Sequence, residues 1–156
     1  MNVLQSLKIS YLLIESKADL QPYFDRLVEC CQSMLKKTGE HGQTCELLIR
    51  QVMSFVGSEM CYLLIGLNGD NKMVGFLFAL LIPDSKPWIE VQALWTEPGI
   101  ATEVKQEVFN LLEQWAISSG ANKILASITR SPDLFYEFFY APLGFIKIGY
   151  ILEAKL

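Results

Sequence analysis

The stretch LWTEPGIATEVKQEV, residues 94–108, passes from an apolar strand into a helix. The strand breaks at Pro98-Gly99, and apolar residues then recur at helical spacing, at Val104, Val108, Leu111, Leu112 and Trp115. A helix N-terminus presents unpaired backbone N–H groups and the positive end of the helix dipole, so such a turn can hold a phosphate. It can equally be a plain connection, and the neighbouring elements bear on which of the two it is.

The elements on either side of this turn predict two neighbouring strands. WIEVQALW (88–95) leads into the turn, and the helix, with Thr102 as its predicted N-cap, ends at Gly120. NKILASIT (122–129) is apolar and β-branched, as expected of a buried strand. A crossover helix between two strands favours parallel pairing, so we expect 88–95 and 123–129 to run parallel.

The remaining segments predict further strands and helices. KISYLLIE (8–15) is a first strand, Asp19 is the predicted cap of a helix, and Thr44 is the predicted cap of a second helix that ends at Gly57. CYLLIGL and KMVGFLFALLI flank NGDN (68–71), whose Asn-Gly accepts the positive φ angles of a hairpin turn. Ser131-Pro132-Asp133 begins a short aromatic helix that stops at Pro142, and residues 145–156 form a last strand.

Length and charge narrow the class of protein. A chain of 156 residues, 51% of them hydrophobic, predicts one domain spanning 1–156. A net charge of −4 without a basic cluster argues against a nucleic-acid partner. The N-terminus lacks the pattern of a signal peptide, and the longest apolar run, MVGFLFALLI, is shorter than the roughly 20 residues that span a bilayer. We therefore expect a cytoplasmic protein with no membrane partner.

Cysteine usage raises one alternative. Cys30, Cys31, His41 and Cys45 could supply four zinc ligands, but zinc sites normally use separated pairs rather than adjacent cysteines. Cys30 and Cys31 also fit the inward stripe of the first helix. The sequence therefore favours reduced, buried thiols that act as small hydrophobic residues, and no metal.

The order of elements resembles the GCN5-related N-acetyltransferases (GNAT family), most clearly over residues 61–156. LLEQWAISSGANKI looks like the family's passage from third helix to fifth strand, and FYAPLGFIKIGYILEAKL resembles its common ending, with a Tyr four residues before Gly-Phe. The resemblance implies an α/β (α+β) fold. Its central mixed, mostly antiparallel sheet would be flanked by about four helices and contain two parallel strands that splay apart.

The resemblance also implies acetyl-coenzyme A (acetyl-CoA) as co-substrate, lying between the fourth and fifth strands. Backbone groups of Leu94, Trp95 and Thr96 would face its pantetheine arm, and the turn with Gly99, Ile100, Ala101 and Thr102 would hold its pyrophosphate. The family pattern is Gln or Arg, two residues, Gly, one residue, then Gly or Ala. TEPGIA (96–101) matches it at Gly99 and Ala101 but has Thr96 in the first position.

A second alignment register is possible for the phosphate turn. It would use Val104 as the apolar position and put Glu103 and Lys105 in place of the glycines. A carboxylate beside a pyrophosphate is disfavoured by Coulomb repulsion, so we prefer the TEPGIA register.

Two residues are candidates for catalysis. Tyr140 matches the family's general acid, which protonates the departing sulfur; its alternative role is packing among neighbouring aromatics, and Tyr136 is the local competitor. Glu90 is the candidate base, and strand alternation puts it on one face with Gln92, although an exposed strand face carries such residues in any case. Arg130 and Asp133 could touch the cofactor or cap the following helix.

These observations predict an N-acetyltransferase in which a primary amine of a small molecule or a protein attacks the thioester directly. The alternative is a GNAT-like fold that has lost catalysis and serves as a binding or assembly module. The altered turn favours the module, whereas the passage from Tyr140 to Phe145 favours the enzyme, which we prefer. A homodimer is compatible with the sequence.

Overall fold

A computed structural model of the chain describes residues 8–38, 45–100, 102–126 and 141–146. Its strands are β1 (Ser10–Leu13), β2 (Cys61–Leu67), β3 (Met73–Ile82), β4 (Trp88–Thr96) and β5 (Ile124–Ala126). Its helices are α1 (Lys17–Leu20), α2 (Phe24–Thr38), α3 (Cys45–Phe55) and α4 (Thr102–Ser118), with short 3₁₀ turns at Gln21–Tyr23 and Ala141–Leu143.

The five strands form one sheet in the order β1-β2-β3-β4-β5. The first four run antiparallel to their neighbours, while β4 and β5 run parallel, with Ile89 opposite Ile124 and Val91 opposite Ala126. The predicted mixed sheet and the parallel pairing across a crossover helix are both confirmed. The predicted splaying of these two strands at one end stays a prediction, because residues 127–129 of the predicted fifth strand lie outside the described residues. The helix predicted to begin at Ser131 and most of the last strand also lie outside them.

Helices cover both faces of the sheet, and each face has its own core. On the first, the α2–α3 face, Leu27, Leu48 and Val52 pack against Leu63, Ile65 and Phe78. On the second, the α4 face, Phe109, Leu112 and Ala116 pack against Leu64, Leu77 and Ile89. None of the described helices is long and apolar enough to cross a bilayer.

The start of the helical region differs from the prediction. Ser16, not Asp19, is the N-cap of α1: its Oγ accepts a hydrogen bond from Asp19 N (3.1 Å). The Asp19 carboxylate in turn accepts one from Glu15 N (3.2 Å), the residue before the N-cap. Strand β1 is correspondingly shorter than predicted, and Thr44 lies outside the described residues.

The hairpin between β2 and β3 forms where predicted but with different chemistry. The positive φ falls on Asn71 (58°) rather than on Gly69. The side chain of Asn68 accepts hydrogen bonds from the backbone N of Asp70 and Lys72, both at 3.0 Å. This Asx turn closes the loop, so asparagine rather than the Asn-Gly pair sets its shape. By contrast, Gly57 and Gly120 end their helices with positive φ, as predicted.

The cysteines are free thiols, and Cys30 and Cys31 are fully buried on the α2–α3 face, as the inward stripe predicted. Burial raises the pKa of Cys30 and of Cys61 to about 11 and that of Cys31 to about 12, from an ordinary 9.0. These thiols are therefore protonated and inert at neutral pH.

These raised pKa values predict a loss of stability in alkali. Because the unfolded thiols ionise near pH 9.0 and the folded ones only near 11 to 12, the unfolded state binds fewer protons between these values. The free energy of unfolding should be unaffected by the thiols below pH 9 and fall above it. Urea titrations across this range should show a smaller fall for Cys30→Ala/Cys31→Ala than for the unaltered protein. Equal slopes would contradict the assignment.

Candidate active site

The turn between β4 and α4 is a type II β-turn built from Glu97, Pro98, Gly99 and Ile100. Glu97 O accepts a hydrogen bond from Ile100 N (3.4 Å), and Gly99 has φ 86° in the position that requires a positive value. A Cβ added to Gly99 would meet no described residue within 4 Å, so the glycine is there for its backbone conformation, and the outside of the turn is open toward the described part of the chain.

An apolar hollow lies on the sheet beside this turn, beneath the first turns of α4. Its lining includes Leu94, Trp95, Thr96 and Ile100 from β4 and the turn, and Val104 and Val108 from α4. The floor contains two glycines, Gly66 and Gly75, which are directly opposite each other. Two adjacent positions without side chains leave this part of the sheet face unfilled.

Gly75 is also required by close backbone approach. A Cβ there would come within 2.9 Å of Trp95 O and within 3.3 Å of the Thr96 methyl group. Since such a contact cannot be accommodated without moving β4, the glycine sets the spacing of the strand that forms the wall of the hollow.

Tyr11 of β1 spans the hollow from the far side. It is directly opposite Gly66, and its hydroxyl donates to a carboxylate oxygen of Glu107 (2.7 Å) and lies 3.5 Å from Val104 O, both on α4. Burial, followed by the bond to Glu107 and its negative charge, raises the pKa of Tyr11 well above its usual range. Tyr11 thus ties the amino-terminal half of α4 to the sheet.

A β-bulge interrupts β4 at Gln92. Val91 is opposite Ala79, and Ala93 is opposite Phe78, so Gln92 has no counterpart on β3. The bulge changes the face that follows: Val91 belongs to the core under α4, whereas Ala93 and Trp95 belong to the core under α2 and α3. Bulges of this kind often lie next to active sites because they re-aim the strand.

Arg26 of α2 connects the turn to the α2–α3 face. It donates to the Glu97 carboxylate (2.6 Å), to Met73 O (3.1 Å) and to Glu29 (3.0 Å). Its guanidinium also lies over the Trp95 ring, 5.9 Å from the centroid. Lys72 adds a second cation 3.8 Å from Glu97, so the one carboxylate of the turn is matched by positive charge.

The structure brings four of the seven residues predicted to bind the cofactor to one hollow: Leu94, Trp95, Thr96 and Ile100. Gly99 lies in the adjoining turn, and Thr102 is the first residue of α4. Ala101 is outside the described residues. The predicted roles of these residues stay predictions.

The candidate catalytic residues are described only in part. Glu90 of β4 is half-exposed and directly opposite Leu80, which places it on the α2–α3 face. The bulge at Gln92 interrupts the regular alternation from which a shared face with Glu90 was predicted. Tyr140, Tyr136, Arg130 and Asp133 lie outside the described residues.

Metal ligands are not brought together in the described part of the chain, where no group of three or more His, Cys, Asp or Glu could hold an ion. His41, which the zinc alternative needs, lies outside that part.

Four features of this site were not predicted: the Tyr11 tether, the Gly66-Gly75 floor, the bulge at Gln92 and the Arg26–Glu97 pair. Glycines inside two long apolar strands were the available signal, because such glycines often mark a close approach or a bulge. Arg26 and Glu97 are 71 positions apart, and no local pattern connects them.

The floor of the hollow predicts a contrast between two glycine substitutions. Gly75→Ala should destabilise the protein by about 1–3 kcal/mol, because its Cβ would overpack against β4. Gly69→Ala is the matched control, since a Cβ there meets nothing within 4 Å and its φ is not positive. The two free energies of unfolding from urea titration check this, and equal values would mean that β4 shifts freely.

Comparison with known proteins was made by sequence and by structure. No family model and no curated protein matches the sequence. Solved structures do match the fold, 118 chains among them, and three illustrate the likeness across most of both chains. An aminoglycoside antibiotic 6′-N-acetyltransferase from Acinetobacter baumannii is 8% identical, with a TM-score of 0.72 over 95% of this chain and 97% of that one. A predicted acetyltransferase from Clostridium acetobutylicum, solved with acetyl-CoA, is 14% identical, with a TM-score of 0.72 over 94% and 96%.

The third structure is a glucosamine-6-phosphate N-acetyltransferase from Arabidopsis thaliana, which is 12% identical with a TM-score of 0.66 over 94% of this chain and 98% of that one. At these identities the likeness is one of fold. Together with the observed sheet order, it shows that this chain has the fold of the GCN5-related N-acetyltransferases.

Proposed function

We propose that residues 1–156 form a single acetyl-CoA-dependent N-acetyltransferase domain that acts on a primary amine. The observation that carries this proposal is the position of the hollow. It lies along the end of β4, beside the turn and under the amino-terminal end of a 17-residue helix, and its lining among the described residues comes from β1 to β4 and α4 rather than from β5. A structure of the same fold contains acetyl-CoA, which supports the choice of co-substrate.

The described residues fit such a co-substrate. Leu94 and Thr96 present an apolar, partly exposed edge suited to a pantetheine chain. The open outer side of the turn at Gly99 leaves room for a phosphate group, and α4 supplies the positive end of a helix dipole. The ion pair with Arg26 offsets the charge of Glu97, the carboxylate of the turn itself, while Glu103 lies in the first turn of α4.

Acetyl transfer requires little specialised chemistry from the protein. Acetyl-CoA supplies an acetyl group already activated as a thioester. The protein must hold a neutral amine against the face of the thioester carbonyl and offer hydrogen-bond donors to the oxygen that gains charge. It must also remove a proton from the attacking amine and give one to the departing thiolate. We assign the oxygen donor to a backbone N–H near Leu94 or Trp95, the base to Glu90 and the acid to Tyr140.

The placement of Glu90 is consistent with its assigned role. It lies on the α2–α3 face of β4, one residue after Ile89, which packs under α4. Because the two faces of β4 differ in this way, a base on one face can serve an amine that approaches from the α2–α3 side while the cofactor arm follows the strand edge. The bulge at Gln92 separates Glu90 from the backbone at Leu94.

For the acceptor we propose a small molecule with a primary amine. Two of the similar structures are enzymes named for aminoglycoside and glucosamine-6-phosphate acceptors, both of which are small amines. The net charge of −4 suits a cationic amine and disfavours nucleic acid. We propose a cytoplasmic protein with no membrane partner, for which a homodimer is one arrangement.

The second candidate is a catalytically inactive binding or assembly module with the same fold. The observation that favours it is the content of the turn: Thr96 replaces the Gln or Arg of the family pattern, and Glu97 is acidic. Both an active enzyme and an inactive module of this fold could bind acetyl-CoA, so binding and turnover have to be measured separately.

Binding is tested at Gly99. Any side chain there is strained by the positive φ, but Asn and Asp tolerate this region best and have the same shape. Gly99→Asp should therefore weaken acetyl-CoA binding about tenfold more than Gly99→Asn, because only the carboxylate repels the phosphate. Calorimetric titration with acetyl-CoA measures both. Equal affinities would show that the phosphate lies elsewhere, and no binding by the unaltered protein would refute the proposal.

Catalysis is tested at Tyr140. Tyr140→Phe keeps the aromatic ring and removes the proton donor, so turnover of an amine substrate should fall while the thermal midpoint stays unchanged. General-acid help is typically about 10²–10⁴-fold, and we expect the lower end because a thiolate is a good leaving group. Tyr136→Phe is the matched control and should leave turnover unaltered. Unchanged turnover in Tyr140→Phe would return Tyr140 to a packing role.

A further inference from the structure

Glu97 poses an electrostatic problem at the turn proposed to bind phosphate. It is the first residue of the type II turn, next to Thr96, and its side chain is only partly exposed, at 34%. A free carboxylate within a few ångströms of a diphosphate would oppose binding. A phosphate turn that keeps a glutamate therefore needs a means of directing that carboxylate away.

Arg26 has the geometry to do this. Its Nη2 lies 2.6 Å from a carboxylate oxygen of Glu97, while its Nε donates to Met73 O at 3.1 Å. The side chain of Arg26 is three-quarters buried, packed over the Trp95 ring. Because these contacts fix the guanidinium to β3 and β4, the position of the Glu97 carboxylate is fixed with it.

The side of the sheet on which Arg26 lies decides where it holds the Glu97 carboxylate. Arg26 is on α2, and its neighbours in that helix, Leu27 and Cys30, belong to the core of the α2–α3 face. Helix α4 packs on the opposite face through Phe109 and Leu112. The ion pair therefore draws the Glu97 carboxylate toward the face opposite the amino-terminal end of α4.

We propose that Arg26 is a positioning residue for the phosphate turn: it holds the Glu97 carboxylate on the α2–α3 face, so that backbone N–H groups and not a negative charge face the cofactor diphosphate. Lys72, 3.8 Å from Glu97, contributes to the same neutralisation. This inference rests on the proposed function, because it concerns how acetyl-CoA is bound.

The pair can be tested by a double-mutant cycle on the full chain, with acetyl-CoA binding measured by calorimetry well below the thermal midpoint of each variant. Arg26→Met should weaken binding about tenfold, because it frees the Glu97 carboxylate. Glu97→Gln should tighten binding about twofold, because it removes the negative charge altogether. Arg26→Met/Glu97→Gln should recover to within about threefold of the unaltered protein.

The chain offers a matched charge control. Arg50 of α3 forms an exposed ion pair with Glu46 (2.6 Å) within its own helix. Arg50→Met changes the net charge by the same amount as Arg26→Met, and should change the affinity by less than about twofold.

The outcomes separate this inference from the proposed function. If the unaltered protein does not bind acetyl-CoA, both fall. If it binds but the double variant is as weak as Arg26→Met, Arg26 acts through packing or by contacting the phosphate itself, and the positioning role is overturned. If Arg50→Met weakens binding as much as Arg26→Met, the effect is one of total charge and the inference is also overturned. The inference is supported only if Arg26→Met weakens binding and Arg26→Met/Glu97→Gln recovers it.

Discussion

The paired glycines Gly66 and Gly75, near the hairpin end of β2 and β3, determine how the candidate site is built. Without side chains at these positions, β3 and β4 approach closely enough that Gly75 faces the backbone of Trp95, and the sheet surface under α4 is left open. Tyr11 crosses from β1 over this open surface and bonds to Glu107 of α4. The turn between β4 and α4 is thus anchored on both sides: β4 packs closely against β3 at Gly75, and α4 is hydrogen-bonded to Tyr11 of β1.

Strand β4 has two different halves because of the bulge at Gln92. Before the bulge, Ile89 and Val91 pack under α4 and pair with residues of β5. After the bulge, Ala93 and Trp95 pack toward α2 and α3. An unbroken strand would have put all four residues on one face, since they alternate in sequence. The extra residue lets a single strand contribute Glu90 to one face and the wall of the hollow at Leu94 to the other.

The sequence was sufficient to predict most of the fold because its signals there are local and repeated. The helical spacing of apolar residues in α4 predicted a crossover helix, and the apolar segment after it predicted a buried strand. Together they predicted the parallel pair of β4 and β5, which the structure confirms. Predictions that depended on single residues fared less well: Ser16 instead of Asp19 caps α1, and Asn71 instead of Gly69 takes the positive φ. In both cases several residues of similar capping or turn propensity lie close together, and the local hydrogen bonds accepted by Ser16 and by Asn68 show which of them is used. Contacts such as Arg26 to Glu97 depend on which helix lies over which strand end, which no local pattern contains.

The type II turn separates what a plain strand-to-helix connection requires from what this one has in addition. Its backbone is fully explained by local rules, because Pro98 and Gly99 occupy the positions that such a turn prefers, and nothing near Gly99 requires a glycine for space. A plain connection requires only these local features. It does not require the tertiary ion pair, in which the partly buried Arg26 donates to the Glu97 carboxylate of the turn and also to Met73 O of β3. Exposed ion pairs stabilise proteins little, but a partly buried one with a fixed guanidinium constrains where a charge can be. The constraint falls on the one acidic side chain of the turn, at the end of the helix where negative charge in a ligand is most favoured. It is the feature of this connection on which the proposed phosphate site depends most.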